Sequence, residues 1–291
     1  LLFFLIPFAY SQILVDNNLL KFSLYGQNSF TMEHNAITDI NGIGFNGTLG
    51  NLSMQGQSKV YGEVYVAGNI SVNCSGTKAF HKVYHGGSAT TGSCMKYLGG
   101  RQAINPYGTV INTPVFPSTS IIDPGTGVLH EGNTAATAYS PGKYNRIQMD
   151  SWNKKLYLKA GVYHLNSVSI TQAQSSIIII PDENGDFSTQ IYVKSTFNVN
   201  KNKVSIGFSD NSVSGELLIF YGGGPKVLFG DNALIVASLI APNATVELKN
   251  KNAVLGQIMA KNLVLKSAYR GNFGVGKFTP LKPKLNISIA A

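Results

Sequence analysis

The side chains able to carry acid–base or metal chemistry in this chain are 14 acids and 5 histidines. A polysaccharide lyase or hydrolase built from stacked coils needs two carboxylates, or a carboxylate with a Lys or Arg, on one face at the coil spacing. Asp182, Glu183, Asp186 and Asp231 sit in evident turns. Glu247 falls one coil after Leu228 and one before Leu265, with no acidic neighbour on its stack. His81 and His85, at i and i+4, could share a metal only on a helix, and Gly86 and Gly87 oppose one. His130 lies beside Glu131 in an irregular stretch, and His164 reads as a polar residue within a strand. Gly222 to Gly224 and the Gly42 region lack the Lys-Ser/Thr and following helix of a phosphate cradle, so they read as turns. No catalytic, cofactor-binding or metal site is expected, and the chain is read as not an enzyme.

Ordering water on a flat face is a different chemistry. It calls for a ladder of Thr or Asn at one place in successive coils. Thr245 aligns with Lys226 on one side and with Leu263 or Val264 on the other. The spacing therefore predicts no such ladder where the repeat is clearest.

The elements that would position any site are set by that repeat. Residues 226–265 read KVLFGDNALIVASLIAPNATVELKNKNAVLGQIMAKNLVL. Short β-branched and apolar runs alternate with Gly, Asn and Asp at intervals near 18 or 19 residues. That interval suits one coil of three short strands. Val227, Val246 and Val264 are the expected stacking positions, with Ile240 and Ile258 beside them in the core. NLSM at Asn51 returns as NISV at Asn69, so the same rhythm runs near the other end. The expected fold is all-β, a β-solenoid with coils of about 18–19 residues. Residues 12–73 are its N-terminal coils, 74–140 an irregular excursion, 141–265 the main solenoid, and 266–291 a cap or tail.

The 31 glycines and 13% charged residues suit tight corners better than helices. Residues 1–11 form an apolar run ending in Ala9-Tyr10-Ser11, read as an export signal, and no segment is long enough to span a bilayer. The expected location is secreted or in a bacterial cell envelope. Two cysteines in an exported chain favour a Cys74–Cys94 disulfide, closing a loop of about twenty residues and contributing roughly 3 kcal/mol. Two buried thiols are the alternative. Residues 187–291 hold 12 Lys or Arg against 4 acids. That surplus could meet anionic polysaccharide, lipid headgroups or nucleic acid. Scattered Lys without interleaved aromatics reads instead as protection of exposed edges, with no specific nucleic-acid site.

In order along the chain come PGKY at Pro141, LYLKAGVYHL from Leu156, QIYVK from Gln190, LLIFY from Leu217, LIAPNATV from Leu239 and GQIMAK from Gly256. This series resembles the adhesive β-helix domains of bacterial surface proteins, of the choice-of-anchor A and PilX-associated kinds. The match covers roughly residues 44–265, poorly over 74–140. The resemblance implies a right-handed solenoid on the cell surface with an adhesive role, and it brings no catalytic residues. The expected function is therefore a non-enzymatic adhesin or structural subunit, whose partner is a surface polysaccharide or protein receptor. A filament joined end to end by strand addition is one alternative, if residues 13–40 and the tail leave the stack uncapped, and a polysaccharide-active β-helix enzyme, disfavoured by the lack of stacked carboxylates, is the other.

Overall fold

In the computed structural model the described residues are 22–34, 36–39, 45–48, 50–60, 63–73, 78–80, 82–91, 95–97, 101–103, 122–209, 217–266 and 270–272. Every regular element among them is a strand, and every ladder is parallel. The chain is an all-β solenoid. Cys74, Cys94, His81 and the residues 1–11 lie outside the described residues.

Twelve strands define the stack. Their order is Arg101–Ala103, Lys82–His85, Glu63–Val66, Phe45–Thr48, Phe22–Met32, Ile258–Leu265, Ser238–Leu248, Leu217–Tyr221, Thr189–Val199, Val162–Ile170, Gly142–Met149 and Val128–His130. The first described strand, Phe22–Met32, thus lies mid-stack; the chain winds outward from it to Arg101–Ala103 and reappears at the opposite end at Val128–His130. From there it winds back until Ile258–Leu265 pairs with Phe22–Met32. Eleven strand spacings of about 4.8 Å separate the two ends, roughly 53 Å. The 24 residues from 104 to 127 can reach about 80 Å when extended, so the link is long enough.

Each full coil has three faces. The first half of a long strand forms the first face and its second half, beyond a corner, the second. Shorter strands form the third, among them Lys155–Lys159, Ser176–Ile180, Ser205–Phe208, Leu234–Ile235 and Ala253–Val254. Residues 78–103, within the stretch expected as an excursion, add further strands in this pattern: Lys78–Phe80, Lys82–His85, Ala89–Thr91, Met95–Tyr97 and Arg101–Ala103. Away from the Phe22–Met32/Ile258–Leu265 seam, partners on adjacent rungs lie from 17 to 30 residues apart, so the coils do not keep one length.

Inward side chains stack in columns. On the second face Val227 pairs with Val246, and Val246 with Leu263. Leu263 pairs in turn with Phe30, and Phe30 with Leu52. All are 0 or 1% exposed. Val264, expected in this column, is half-buried on the outer side opposite Glu247, because Leu263 takes the inward place. The cause is corner length. Between the first and second faces, Ser238–Leu248 carries Pro242, Asn243 and Ala244 where Ile258–Leu265 has Lys261 alone, and the register shifts there. Ile258 points inward and stacks on Leu239 and Leu24. Ile240 is 2% exposed but stands on the outer side of the first face, between Phe220 and Met259.

The corners between the second and third faces share one device. Asn153, Gln174, Lys203, Asn232 and Lys251 each have φ between 54° and 60°. Asn enters this left-handed region readily, whereas Gln and Lys do so at a cost. The corners also bond along the stack: the Gln174 N–H donates to Asn202 O, Lys203 to Asp231 O and Asn232 to Asn250 O, at 2.8–3.0 Å.

Candidate functional site: an outer ladder of short polar side chains

A ligand can reach only outward side chains that nothing covers. On the first face, Tyr192, Phe220, Ile240, Met259 and Tyr25 form one outward column in register. Each is at most 2% exposed. That column is covered, so the first face is not a contact surface where these rungs lie.

The second face is open and carries two outward columns. From one end, the first runs Ser88, Asn69, Asn51, Ser29, Asn262, Thr245, and then Lys226. The second runs Thr90, Ser71, Ser53, Thr31, Val264, and then Glu247. Over the first five rungs, nine of ten outward positions are Ser, Thr or Asn, and none is charged. Parallel pairing sets neighbours in a column about 4.8 Å apart, and the two columns roughly 6.6 Å apart along the strand.

The ladder is held by its own hydrogen bonds. Asn51 Oδ1 accepts from the Asn69 N–H at 3.0 Å, and Asn69 Oδ1 accepts from the Ser88 N–H and hydroxyl at 2.9 Å. Ser29 donates to Asn262 Oδ1 at 2.9 Å, and Asn262 Nδ2 donates to Thr245 Oγ1 at 3.1 Å. Fixed rotamers mean that little side-chain entropy remains to be lost on contact. The expectation that no Thr or Asn ladder exists is corrected here. Thr245 does meet Lys226, but its other neighbour is Asn262, because the corner before it is longer. Asn262 then continues onto Ser29, 233 residues away, a neighbour that no local spacing reveals.

Charge begins where the neutral rungs end. Lys226 and Lys266 hold Glu247 at 2.6 and 2.9 Å. Burial pushes this carboxyl up, and the two lysines more than reverse the effect, leaving it below its ordinary value. Glu247 is thus a clasped structural anion rather than an acid poised for chemistry. Burial holds His164 below its ordinary value, and its ring stacks on Tyr192 at 4.9 Å. His85 is buried with Nδ1 2.9 Å from Gly87 O, and His130 is exposed at the far end of the second outer column. Among the described residues no three His, Cys, Asp or Glu come together as a metal set, and no helix is long and apolar enough to cross a membrane.

No family model and no curated protein sequence matches the chain. Three solved structures are similar to it. The DUF3494 domain of Shewanella frigidimarina ice-binding protein 1 is 12% identical over 90% of this chain and 98% of that one, with a TM-score of 0.40. An ice-binding protein from an Antarctic biological consortium is 11% identical over 87% and 88%, at 0.36. One from an Antarctic Flavobacteriaceae bacterium is 10% identical over 87% and 97%, at 0.32.

The adhesin, structural-subunit and filament expectations, with their polysaccharide or protein receptor, are corrected at this point. The solved structures found are ice-binding proteins by name, not adhesins or filament subunits. The geometric premise of the filament also fails, since Phe22–Met32 and Ile258–Leu265 pair with each other mid-stack and neither lies at an open end. Of the family resemblance, the solenoid is retained; nothing ties the chain to the choice-of-anchor A or PilX-associated kinds.

Proposed function

We propose that this protein binds ice, through the second face between the Ser88/Thr90 and Asn262/Val264 rungs. The observation that carries this reading is the neutral double column itself. An ice surface is a rigid, periodic array of water oxygens, each donating and accepting. Hydroxyls and amides likewise offer both functions, so every rung can meet a water in either orientation. The parallel ladder fixes their spacing, and side-chain hydrogen bonds fix the rotamers of the first column. Charged groups would hold their own hydration shells, and the ten outward positions of these columns carry none. The reading is of a non-enzymatic binding protein acting outside the cell, which accords with the export expected from residues 1–11.

The test is a bulky substitution on the face. Thr31→Tyr with Ser71→Tyr raises side chains above the plane at two rungs. Incorporation into a growing ice hemisphere and inhibition of ice recrystallisation should fall to the level of an inert control protein. The melting curve should hold within about 0.5 kcal/mol, as for ordinary surface changes. Undiminished ice incorporation by the double variant would overturn the assignment to this face.

A further inference from the structure

The third face of the 122–266 half has a different chemistry. Its outward side chains include Ile178, Ile180, Leu234, Val236 and Leu255, on three of four adjacent rungs, with Ser205 and Gly207 on the rung between. Leu234 is 36% and Leu255 41% exposed, whereas the outward apolar column of the first face is covered. Gly207 stands between Ile178 and Val236, and a Cβ there would lie 3.0 Å from the Val236 Cβ. The glycine keeps that column level. An open, level, apolar patch on a soluble-looking surface marks a contact site.

One edge of this face is the corner bearing the left-handed residues, and it is basic. Lys154, Lys201, Lys203, Lys249 and Lys251 lie on it, against two acids within these five corners, Asp150 and Asp231; the Asp150 carboxylate accepts from the Gln148 side-chain amide and the Thr171 hydroxyl. The Asp231 carboxylate is engaged, accepting from the Asn250 N–H at 3.2 Å. The lysines come on every second rung, about 9.6 Å apart, so they repel one another little while adding to one field. Trp152, 59% exposed, stands on the same ridge.

We infer that this face docks on an anionic lipid surface. A polyanion such as nucleic acid would use the lysines and leave the leucines in water. A bilayer uses both, since apolar side chains enter the acyl boundary while Lys heads stay among the phosphates. Trp is the residue that favours the level between them. Each Lys near an anionic leaflet strengthens binding by about fivefold. The inference concerns a different face from the ice-binding columns and stands or falls separately from them.

The experiment uses the full chain with vesicles of phosphatidylcholine, with or without phosphatidylglycerol. Trp152 is the sole tryptophan, so intrinsic fluorescence reports on the ridge alone. The protein should co-sediment with the phosphatidylglycerol vesicles only, and Trp152 emission should shift to the blue. Lys154→Gln, Lys201→Gln and Lys249→Gln together should weaken binding about a hundredfold. Leu234→Ser with Leu255→Ser should abolish both co-sedimentation and the shift, while the melting curve and ice incorporation stay as in the parent. No co-sedimentation with phosphatidylglycerol overturns the proposal. So does binding that ignores the Leu changes and is matched by heparin, or binding that is equal on phosphatidylcholine alone.

Discussion

The second and third faces are built on the same columns of buried Val, Ile, Leu and Phe, yet their outer sides differ. On the second, the outer positions near the seam are, but for Val264, Ser, Thr and Asn; they are uncharged, and those of the first column are tied to one another. On the third, they include Ile, Leu and Val, among small residues, beside a ridge of Lys. The lesson is that a parallel coil dictates only its inward residues. Each outer face is free to be specified on its own, because side chains alternate across the strand.

The largest test removes what the faces share. Val246 is fully buried between Val227 and Leu263, directly beneath the second face. Val246→Asp should cost more than about 4 kcal/mol and abolish ice binding and the cooperative melt together. A soluble variant that melts normally would show that this column does not carry the stack. The next test separates the faces. Thr31→Tyr with Ser71→Tyr should lose ice incorporation and keep vesicle binding, and Leu234→Ser with Leu255→Ser should do the reverse. Loss of both activities in either variant would mean that the faces are not independent.

Smaller effects sharpen the boundary between them. Lys203 is in the left-handed region at φ 57°, where a side chain costs about 1–2 kcal/mol. Lys203→Gly relieves that cost but loosens the unfolded chain, so a net gain of about 0.5–1 kcal/mol is expected, read from denaturant midpoints. A loss of stability would place the value of Lys203 in its contacts rather than its backbone. Smallest is the contribution of Glu247. Its folded pKa lies below the ordinary value, so its stabilisation is full above the unfolded pKa and disappears as pH falls through the folded one. Glu247→Gln should flatten the acid side of the stability–pH curve, matching the parent in acid and falling slightly below it at neutral pH, by a small amount because both lysines are well exposed. An unchanged acid limb would exclude the clasp as the source of acid sensitivity.

The sequence made the solenoid legible because Val227 and Val246 share a 19-residue spacing that survives in the structure. It misplaced Val264, because the next corner is two residues shorter and a fixed period cannot register that. It placed Ile240 in the core, because a strand buried on both sides gives no alternation to tell inside from outside. The ladder was hidden for a related reason. Its Thr245–Asn262 step crosses the shortened corner, and its Asn262–Ser29 step joins residues from opposite ends of the chain. The Asn51 and Asn69 recurrence was visible as a period, but not as the edge of a face.

The pairing of Phe22–Met32 with Ile258–Leu265 also governs how the molecule can be made. Synthesis delivers the first strand some 230 residues before the one that seals its open edge. The early coils must wait with unsatisfied backbone on that side, and closing so long a loop is entropically slow. A chain interrupted before residue 258 would therefore be left with two exposed strand edges, the kind of surface that chaperones hold and that unprotected polypeptides use to aggregate.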